Sequence, residues 1–479
     1  MKKNFLFNLL LSISNIIFPI ISFPYAARVL GPEGIGKVQF IFSYAQYFAL
    51  FAALGIPIYG VKEIAKHHES EHKIKSIFLS LSSIFFIASA VATLLYVLSV
   101  LYIPYFSEHR TMYLIAGTLV LLSFTYTDWY YAGKADFKTI ALRSIIVKAV
   151  SLILLYLWVK TPNDLYQYLV VLIFTILGNQ VYSFLVIYYT HTKHTYEFEL
   201  KRHIKPLLYI FGATAASSIY TIWDTLLLGF LANPMAVGFY TASIKFIKLL
   251  LPFVTSVGTV FIPIISHKFA ENKIDDIKKI LVHSFYFLVL LTVPMAFGTY
   301  LLAPEIMRIF SGEAFNKSIL PMQILSVLPL LVGFGHFFAF QILIPAEKNK
   351  QVFIAMLAGL LISAVLNFSL APFYQEKGAA IATIVTEIGV TLIYFYYTNS
   401  VFKFKYPWPF LGQSIIASIT FIPLVLGVKM MTGNIYLIAV LSVVGCSILY
   451  IMMQLYVFKN KFLLSYLRIK QIVADVSKT

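Results

Sequence analysis

Five charged residues interrupt apolar runs of this chain: Lys148, Lys245, Lys248, Asp224 and Glu387. A charge at the middle of a bilayer costs about 2.5–3.5 kcal/mol even on the lenient translocon scale. Such groups therefore face an interior, a partner or a watery cavity. Lysines at that depth suit an anion, which they neutralise as point charges. The two carboxylates suit counter-charges that hold the lysines when no anion is bound. Static pairing, for example of Asp224 with Lys245 or Lys248, is the competing explanation. Three lysines against two carboxylates still leave one cation spare.

The charges belong to polar stripes, and the stripes repeat. At 100° per residue, Asn8, Ser12, Asn15, Pro19 and Ser22 share one face of the first apolar run. Thr214, Ser217, Ser218, Thr221, Asp224 and Thr225 do the same in the seventh, and Thr241, Lys245, Lys248, Pro252, Thr255, Thr259 and Pro263 in the eighth. Thr383, Glu387, Thr391 and Tyr394 align in the twelfth. With one constant offset, Ser12, Asn15 and Ser22 fall on Thr214, Ser217 and Asp224, and Gln39, Ser43 and Gln46 fall on Thr241, Lys245 and Lys248. The same offset carries Gly31-Pro32-Glu33-Gly34-Ile35-Gly36 onto Asn233-Pro234-Met235-Ala236-Val237-Gly238. A single Ser or Thr in a span commonly just bonds a neighbouring helix. Stripes that recur between halves and carry Lys and Asp point instead to two lobes flanking a shared cavity, as in secondary transporters.

The elements that must hold these stripes are spanning helices. Hydrophobic residues make up 60% of the 479, charged residues only 12%, and mean hydropathy is +0.84. A soluble chain carries about twice that share of charge. About 20 apolar residues cross a bilayer as a helix. On that rule fourteen spans are expected, near 5–28, 38–61, 77–103, 112–133, 139–159, 165–190, 206–232, 236–266, 281–303, 318–344, 351–373, 378–397, 407–428 and 434–458. Residues 4–28 read as the first span and not as a cleaved leader, being too long and broken by Pro19 and Pro24. The fold class is thus an all-α polytopic membrane protein. It has an N-terminal lobe over 1–205, a C-terminal lobe over 206–400, and a peripheral helix pair with a tail over 401–479. The two six-helix repeats run parallel about an axis along the membrane normal, and the last pair is expected to bury few polar groups.

Charge sets the orientation. With the N-terminus cytoplasmic, 26 of the 37 Lys and Arg fall on the cytoplasmic side. Arg28, Lys37, Arg110, Lys160, Arg308, Lys317, Lys377 and Lys429 fall opposite. That bias follows the positive-inside rule and puts both termini inside. It also accounts for the net charge of +17 without nucleic acid.

The remaining candidates are weaker. Arg28 is turned almost opposite the first stripe on an ideal helix, so a cavity role competes with snorkelling to the interface. Asp128-Trp129 could line a cytoplasmic entrance or anchor at the interface. His336 reads as an interior histidine, and His67, His68, Glu69, Glu71 and His72 as a solvated loop despite their metal-like types. The single cysteine, Cys446, lies in an apolar run and excludes an intrachain disulfide. No cofactor, metal site or catalytic constellation is called for, and no enzyme activity is expected.

Several motifs carry a family resemblance. Phe23-Pro24-Tyr25-Ala26-Ala27-Arg28-Val29-Leu30-Gly31-Pro32-Glu33-Gly34 is one, Gly55-Ile56-Pro57 with Tyr59-Gly60-Val61 and Glu63-Ile64-Ala65 another. Asp128-Trp129-Tyr130 and Gly378-Ala379-Ala380-Ile381-Ala382-Thr383 complete the set. The chain resembles the bacterial polysaccharide and O-antigen flippases of the multidrug/oligosaccharidyl-lipid/polysaccharide superfamily. The resemblance implies two lobes working by alternating access in the inner membrane, and an undecaprenyl pyrophosphate-linked oligosaccharide as substrate. A polysaccharide polymerase and a chain-length regulator are the partners it suggests, beside membrane lipids. On the residues themselves, Lys245, Lys248, Lys148, Arg28, Asn15, Gln46 and Ser217 are the expected substrate contacts, with Asp224, Glu387 and Asp128 as counter-charges. Two alternatives stand beside this reading. A cation-coupled multidrug exporter would favour an acidic cavity, whereas here buried cations outnumber acids. A membrane glycan polymerase or ligase would need a larger outer loop than the one near 304–317.

Overall fold

A computed structural model describes residues 2–67, 69–191, 199–401, 403–460 and 463, with side chains left out at 2–5, 190–191, 213–222 and 257. Among the described residues every regular element is helical. Ten runs are long and apolar enough to cross a membrane. Two of them bend sharply midway, and Arg110–Gly133 and Leu200–Leu231 are further apolar stretches, so the expected spans are all represented. Leu94, Leu157, Leu361, Val365 and Leu392 lie exposed on helix surfaces, as apolar residues do where lipid is the solvent.

The bends have local causes. The first helix, α1 (Lys2–Ala53), carries two spans joined at Gly31, whose φ of 69° lies in the left-handed region that favours glycine. Pro32 follows and removes a backbone donor at the turn. The second span does not run on unbroken to residue 61. It stops at Leu54 and Gly55, both at positive φ, and restarts as α2 (Ile56–Lys66) with Pro57 in its first turn. The other long run, α14 (Asn349–Val401), bends at Gln375, φ 49°.

The chain divides into two compact units, Met1–Thr241 and Ala242–Thr479. The first holds α1, α2, α3 (Glu71–Tyr102), α4 (Arg110–Leu121), α5 (Asp128–Gly133), α6 (Phe137–Trp158), α7 (Leu165–His191) and α8 (Leu200–Leu231). Here α1 packs against α3, α4, α6, α7 and α8. Start signals are legible in places: the Ser70 side chain caps α3, and Asp136 accepts from Thr139 N at 3.2 Å at the head of α6. Short α5 is seated on α2 by shape. Trp129 lies over Gly60, where a Cβ would overlap its ring, and Gly133 sits against Ile64.

The long α9 (Pro234–Ala270) begins in the first unit and continues into the second. The second unit adds α10 (Ile274–Leu301), α11 (Ala303–Ser311), α12 (Ile319–Leu325), α13 (Leu328–Phe338), α14, α15 (Trp408–Ile419), α16 (Phe421–Met431) and α17 (Ile435–Met452). Its core is aromatic, with Phe285, Phe334, Phe337, Phe338, Tyr406 and Phe410 buried together. The tenth expected span is a broken one. Its helix passes from α12 to α13 and closes on a π-turn, Ala339–Leu343. The last helices differ from expectation. Ser414, Ser418, Ser442 and Gln454 are fully buried there, with Gln454 Nε2 donating to Ser414 Oγ at 3.3 Å. The Gln454–Ser414 bond ties α15 to the π-turn that follows α17, while Ser418 donates to Ser414 O within α15, contacts that periodicity alone does not display. Glu305 on α11 is joined to Lys429 on α16 at 2.9 Å.

Candidate functional site

In the first unit, candidate groups of α1 and α6 meet. Their ridges bring Lys148 against the polar stripe of α1, where its ammonium donates to Ser14 Oγ at 3.1 Å and to Asn15 Oδ1. Both partners are neutral, so they orient the cation without cancelling its charge. Asn15 is itself exposed, and Ser14 and Lys148 are half-buried. Ser12 and Ser14 spend their own protons on Asn8 O at 2.9 Å and Leu11 O at 2.8 Å. Further along the helix Gln39 Nε2 donates to Ser43 Oγ at 3.1 Å, and Gln46 lies half-buried a turn beyond. Arg28 is exposed and donates from Nη1 to Pro24 O, one turn back on its own helix, at 2.9 Å.

Asp224 is buried on α8, and Tyr240 OH donates to its Oδ2 at 3.4 Å. The Ser217 side chain, with those of Thr214, Ser218 and Thr221, lies outside the described residues.

Asp128 opens α5 and holds Arg143 of α6 in an ion pair. The guanidinium also lies over the Tyr131 ring, 5.5 Å from its centroid. With only 7% of its side chain exposed, Arg143 is an interior group, although it counts among the 26 Lys and Arg assigned to the cytoplasmic side. Its Nε and Nη1 are buried with no hydrogen-bond partner among the described residues. An Arg near a span end is indistinguishable in sequence from a topological anchor. Only the fold of α5 back over α6 buries it.

In the second unit, Lys245 and Lys248 stand three residues apart on one face of α9, the first half-buried and the second exposed. Glu387 is buried on α14 and faces α13 at Gly335, where an added Cβ would sit 3.6 Å from both Glu387 Oε1 and Thr391 Oγ1. Thr391 donates to Leu331 O at 3.3 Å, again across to α13. Thr383 and Thr386 turn back on their own helix, to Ala379 O at 2.8 Å and Ala382 O at 2.6 Å. Polar residues that the stripes did not single out are also buried in this unit, Ser284, Gln341, Ser363 and Asn367 among them. Ser284 donates to Gln341 Oε1 at 2.6 Å, and Asn367 Nδ2 donates to Ser363 Oγ at 3.2 Å. Half-buried His336 stacks on Phe340 with ring centroids 4.9 Å apart.

Of the metal-like loop residues, His68 lies outside the described residues, and His67 and Glu71 have local partners. His67 Nδ1 meets Glu63 O at 3.0 Å, and Glu71 pairs with Lys75 at 4.0 Å and Lys134 at 3.4 Å. Among the described residues no three His, Cys, Asp or Glu side chains cluster as metal ligands.

This is a multi-pass helical membrane protein with the fold of the multidrug/oligosaccharidyl-lipid/polysaccharide transporters. The lipid II flippase MurJ, in an inward closed conformation, superposes over 95% of this chain and 99% of its own, with TM-score 0.76 and 17% identity. An inward-facing multidrug resistance MATE transporter covers 82% of this chain and 97% of its own, with TM-score 0.61 and 14% identity. More particularly, the chain belongs to the family described as Polysaccharide biosynthesis protein, which matches residues 1–269. The MatE family matches residues 210–369. A protein of Escherichia coli (strain K12) assigned as an O-antigen transporter is 26% identical, covering 82% of this chain and 95% of that one. Its counterpart in Shigella dysenteriae is 25% identical over 82% of this chain and 98% of its own. A Haloferax volcanii protein assigned as a low-salt glycan biosynthesis flippase, Agl15, is 22% identical over 45% of each chain.

Proposed function

We propose that this protein is a flippase that moves a lipid-linked oligosaccharide, carried on undecaprenyl pyrophosphate, across the cytoplasmic membrane by alternating access. The observation that carries the reading is Lys148, a cation within the spans that is held by the neutral groups of Ser14 and Asn15. Such a group receives an anion without first breaking an ion pair. A sugar hydroxyl taken unpaired into hydrocarbon costs several kcal/mol, about 4–8 on alkane scales. The head group therefore needs a polar path while its lipid tail stays in the bilayer. The family match and the relatives assigned to O-antigen transport and glycan flipping support the same class of substrate.

In this reading the lobes are residues 1–205 and 206–400, with 401–479 peripheral, and both termini are cytoplasmic. Lys245, Lys248 and Lys148 take the pyrophosphate; Arg28, Asn15, Gln46 and Ser217 line the path. Asp224 and Glu387 hold charge when substrate is absent, and Asp128 does so for Arg143. A polymerase and a chain-length regulator are the natural consumers of the product. A cation-coupled drug exporter is the second reading, favoured by the MatE match over residues 210–369.

Vesicles reconstituted with the purified protein decide between them. Transfer of a lipid-linked oligosaccharide head group between leaflets, with no uptake of cationic dyes, is the expected result. Dye efflux driven by a proton or sodium gradient, with no head-group transfer, overturns it.

A further inference from the structure

The first turns of α8 are seated on α2, and a buried histidine is the centre of the seat. His203 is 1% exposed; its Nδ1 and Tyr59 OH are hydrogen-bonded at 2.8 Å, with ring centroids 5.6 Å apart. Leu207 follows one turn later on the same face and is also buried. Beyond it the α8 backbone comes so close to Gly55 that a Cβ there would lie 3.0 Å from Phe211 N. At the other end, Glu199 N donates to Ser80 Oγ of α3 at 3.2 Å. Three charged groups act on the imidazole. Glu63 of α2 is buried and lies 3.9 Å from Lys66, and Glu199 and Arg202 are ion-paired to each other beside His203. Lys73 of α3 acts in turn on Glu199.

We propose that Tyr59 and His203 form a proton-sensitive latch, which holds the first turns of α8 on α2 while the imidazole is neutral and releases them when it takes up a proton. The cytoplasmic placing of the latch rests on the orientation proposed above; the contact itself needs no substrate. Neutral imidazole satisfies the Tyr59 hydroxyl as acceptor or as donor, so the seat is complete without charge. His203 precedes the span expected from 206, and its surroundings disfavour the imidazolium. Burial strips its water and Arg202 repels it, which together hold His203 below the ordinary imidazole range against the pull of Glu63 and Glu199. The seat therefore contributes fully above that range and weakens as pH falls through the lowered value, because a released imidazole takes the proton more readily. By the same linkage, any movement that lifts α8 raises the affinity of His203 for a proton. The helix that carries Asp224 is thus made responsive to acidity on the cytoplasmic side.

Two measurements test the latch, each on full-length protein in detergent with Cys446 replaced by Ala. In the first, Leu207→Cys reports the seat through its rate of reaction with a fluorescent maleimide. Tyr209→Cys, on the exposed face of α8, corrects for the pH dependence of the thiol reaction itself. The ratio of the two rates is expected to rise severalfold from about pH 8 to about pH 5, the range over which histidine changes charge. His203→Gln, which keeps a hydrogen-bonding group without a titrating one, is expected to lose that dependence. A flat ratio in the parent, or the same rise in His203→Gln, overturns the latch. The second measurement keeps His203 and changes its neighbours. Glu63→Gln withdraws a favourable charge and is expected to move the midpoint of the rise to lower pH, whereas Arg202→Gln withdraws an unfavourable one and moves it to higher pH. Midpoints that stay in place, or that move the same way, overturn the proposal as well. Neither measurement involves a transported substrate, so a failure of the latch is read apart from a failure of the flippase reading.

Discussion

Lys148 on α6 and Asn15 on α1 are hydrogen-bonded across 133 positions of sequence, with Ser14 as the second acceptor at 3.1 Å. The bonds orient the Lys148 ammonium and leave its charge uncancelled, because neither acceptor carries charge. Hydrogen bonds involving a charged group are worth about 1.5–3 kcal/mol. Lys148→Ala is therefore expected to weaken binding of the pyrophosphate head group by about ten- to a hundredfold. Lys148→Arg retains part of it, since charge matters more there than the geometry of the fork. Titration of a water-soluble pyrophosphate-sugar analogue against the purified variants checks both.

Lys245 and Lys248 share one face of α9 and carry the matching positions of the second repeat. The double variant Lys245→Ala, Lys248→Ala is expected to abolish surface glycan export while the protein remains in the membrane at parental level. Either lysine alone should leave a measurable fraction, because the pair presents charge and not a fixed geometry. Surface glycan quantified beside membrane protein level gives the answer, and normal export by the double variant refutes the assignment.

The Asp128–Arg143 pair is asymmetric, and its variants should be too. Arg143 is 7% exposed and Asp128 34%. Asp128→Ala leaves a buried guanidinium with no counter-charge, which costs about 3–5 kcal/mol. Arg143→Leu leaves a carboxylate that water can still reach, at a cost nearer the 1–3 kcal/mol of a lost hydrogen-bond partner, about half as much. Thermal unfolding in detergent should rank Asp128→Ala below Arg143→Leu, and Arg143→Leu below the parent. The reverse order would place the pair in a wetter setting than the packing of α5 implies.

Much of this molecule is legible along the chain because the bilayer makes the relevant physics local. Twenty apolar residues must be a helix, the lysines between them must favour one side, and a polar stripe must face away from lipid. These rules yielded the spans and the fold class, and they singled out Lys148, Asp224 and Glu387 as candidates. Glycine and proline at 31–32 likewise announced a turn that the backbone makes at Gly31.

What the one-dimensional pattern lacks is the identity of neighbours. That Lys148 meets Asn15, that Arg143 is an interior cation under Asp128, and that Ser414 meets Gln454 depend on which helices lie side by side. So does the close approach of Gly36 on α1 to the Pro234 carbonyl on α9. Periodicity specifies the face a helix turns from lipid, because hydration energy acts on each residue separately. The choice of partner is made by shape and hydrogen bonding between segments more than a hundred residues apart, and those terms exist only once the chain has folded.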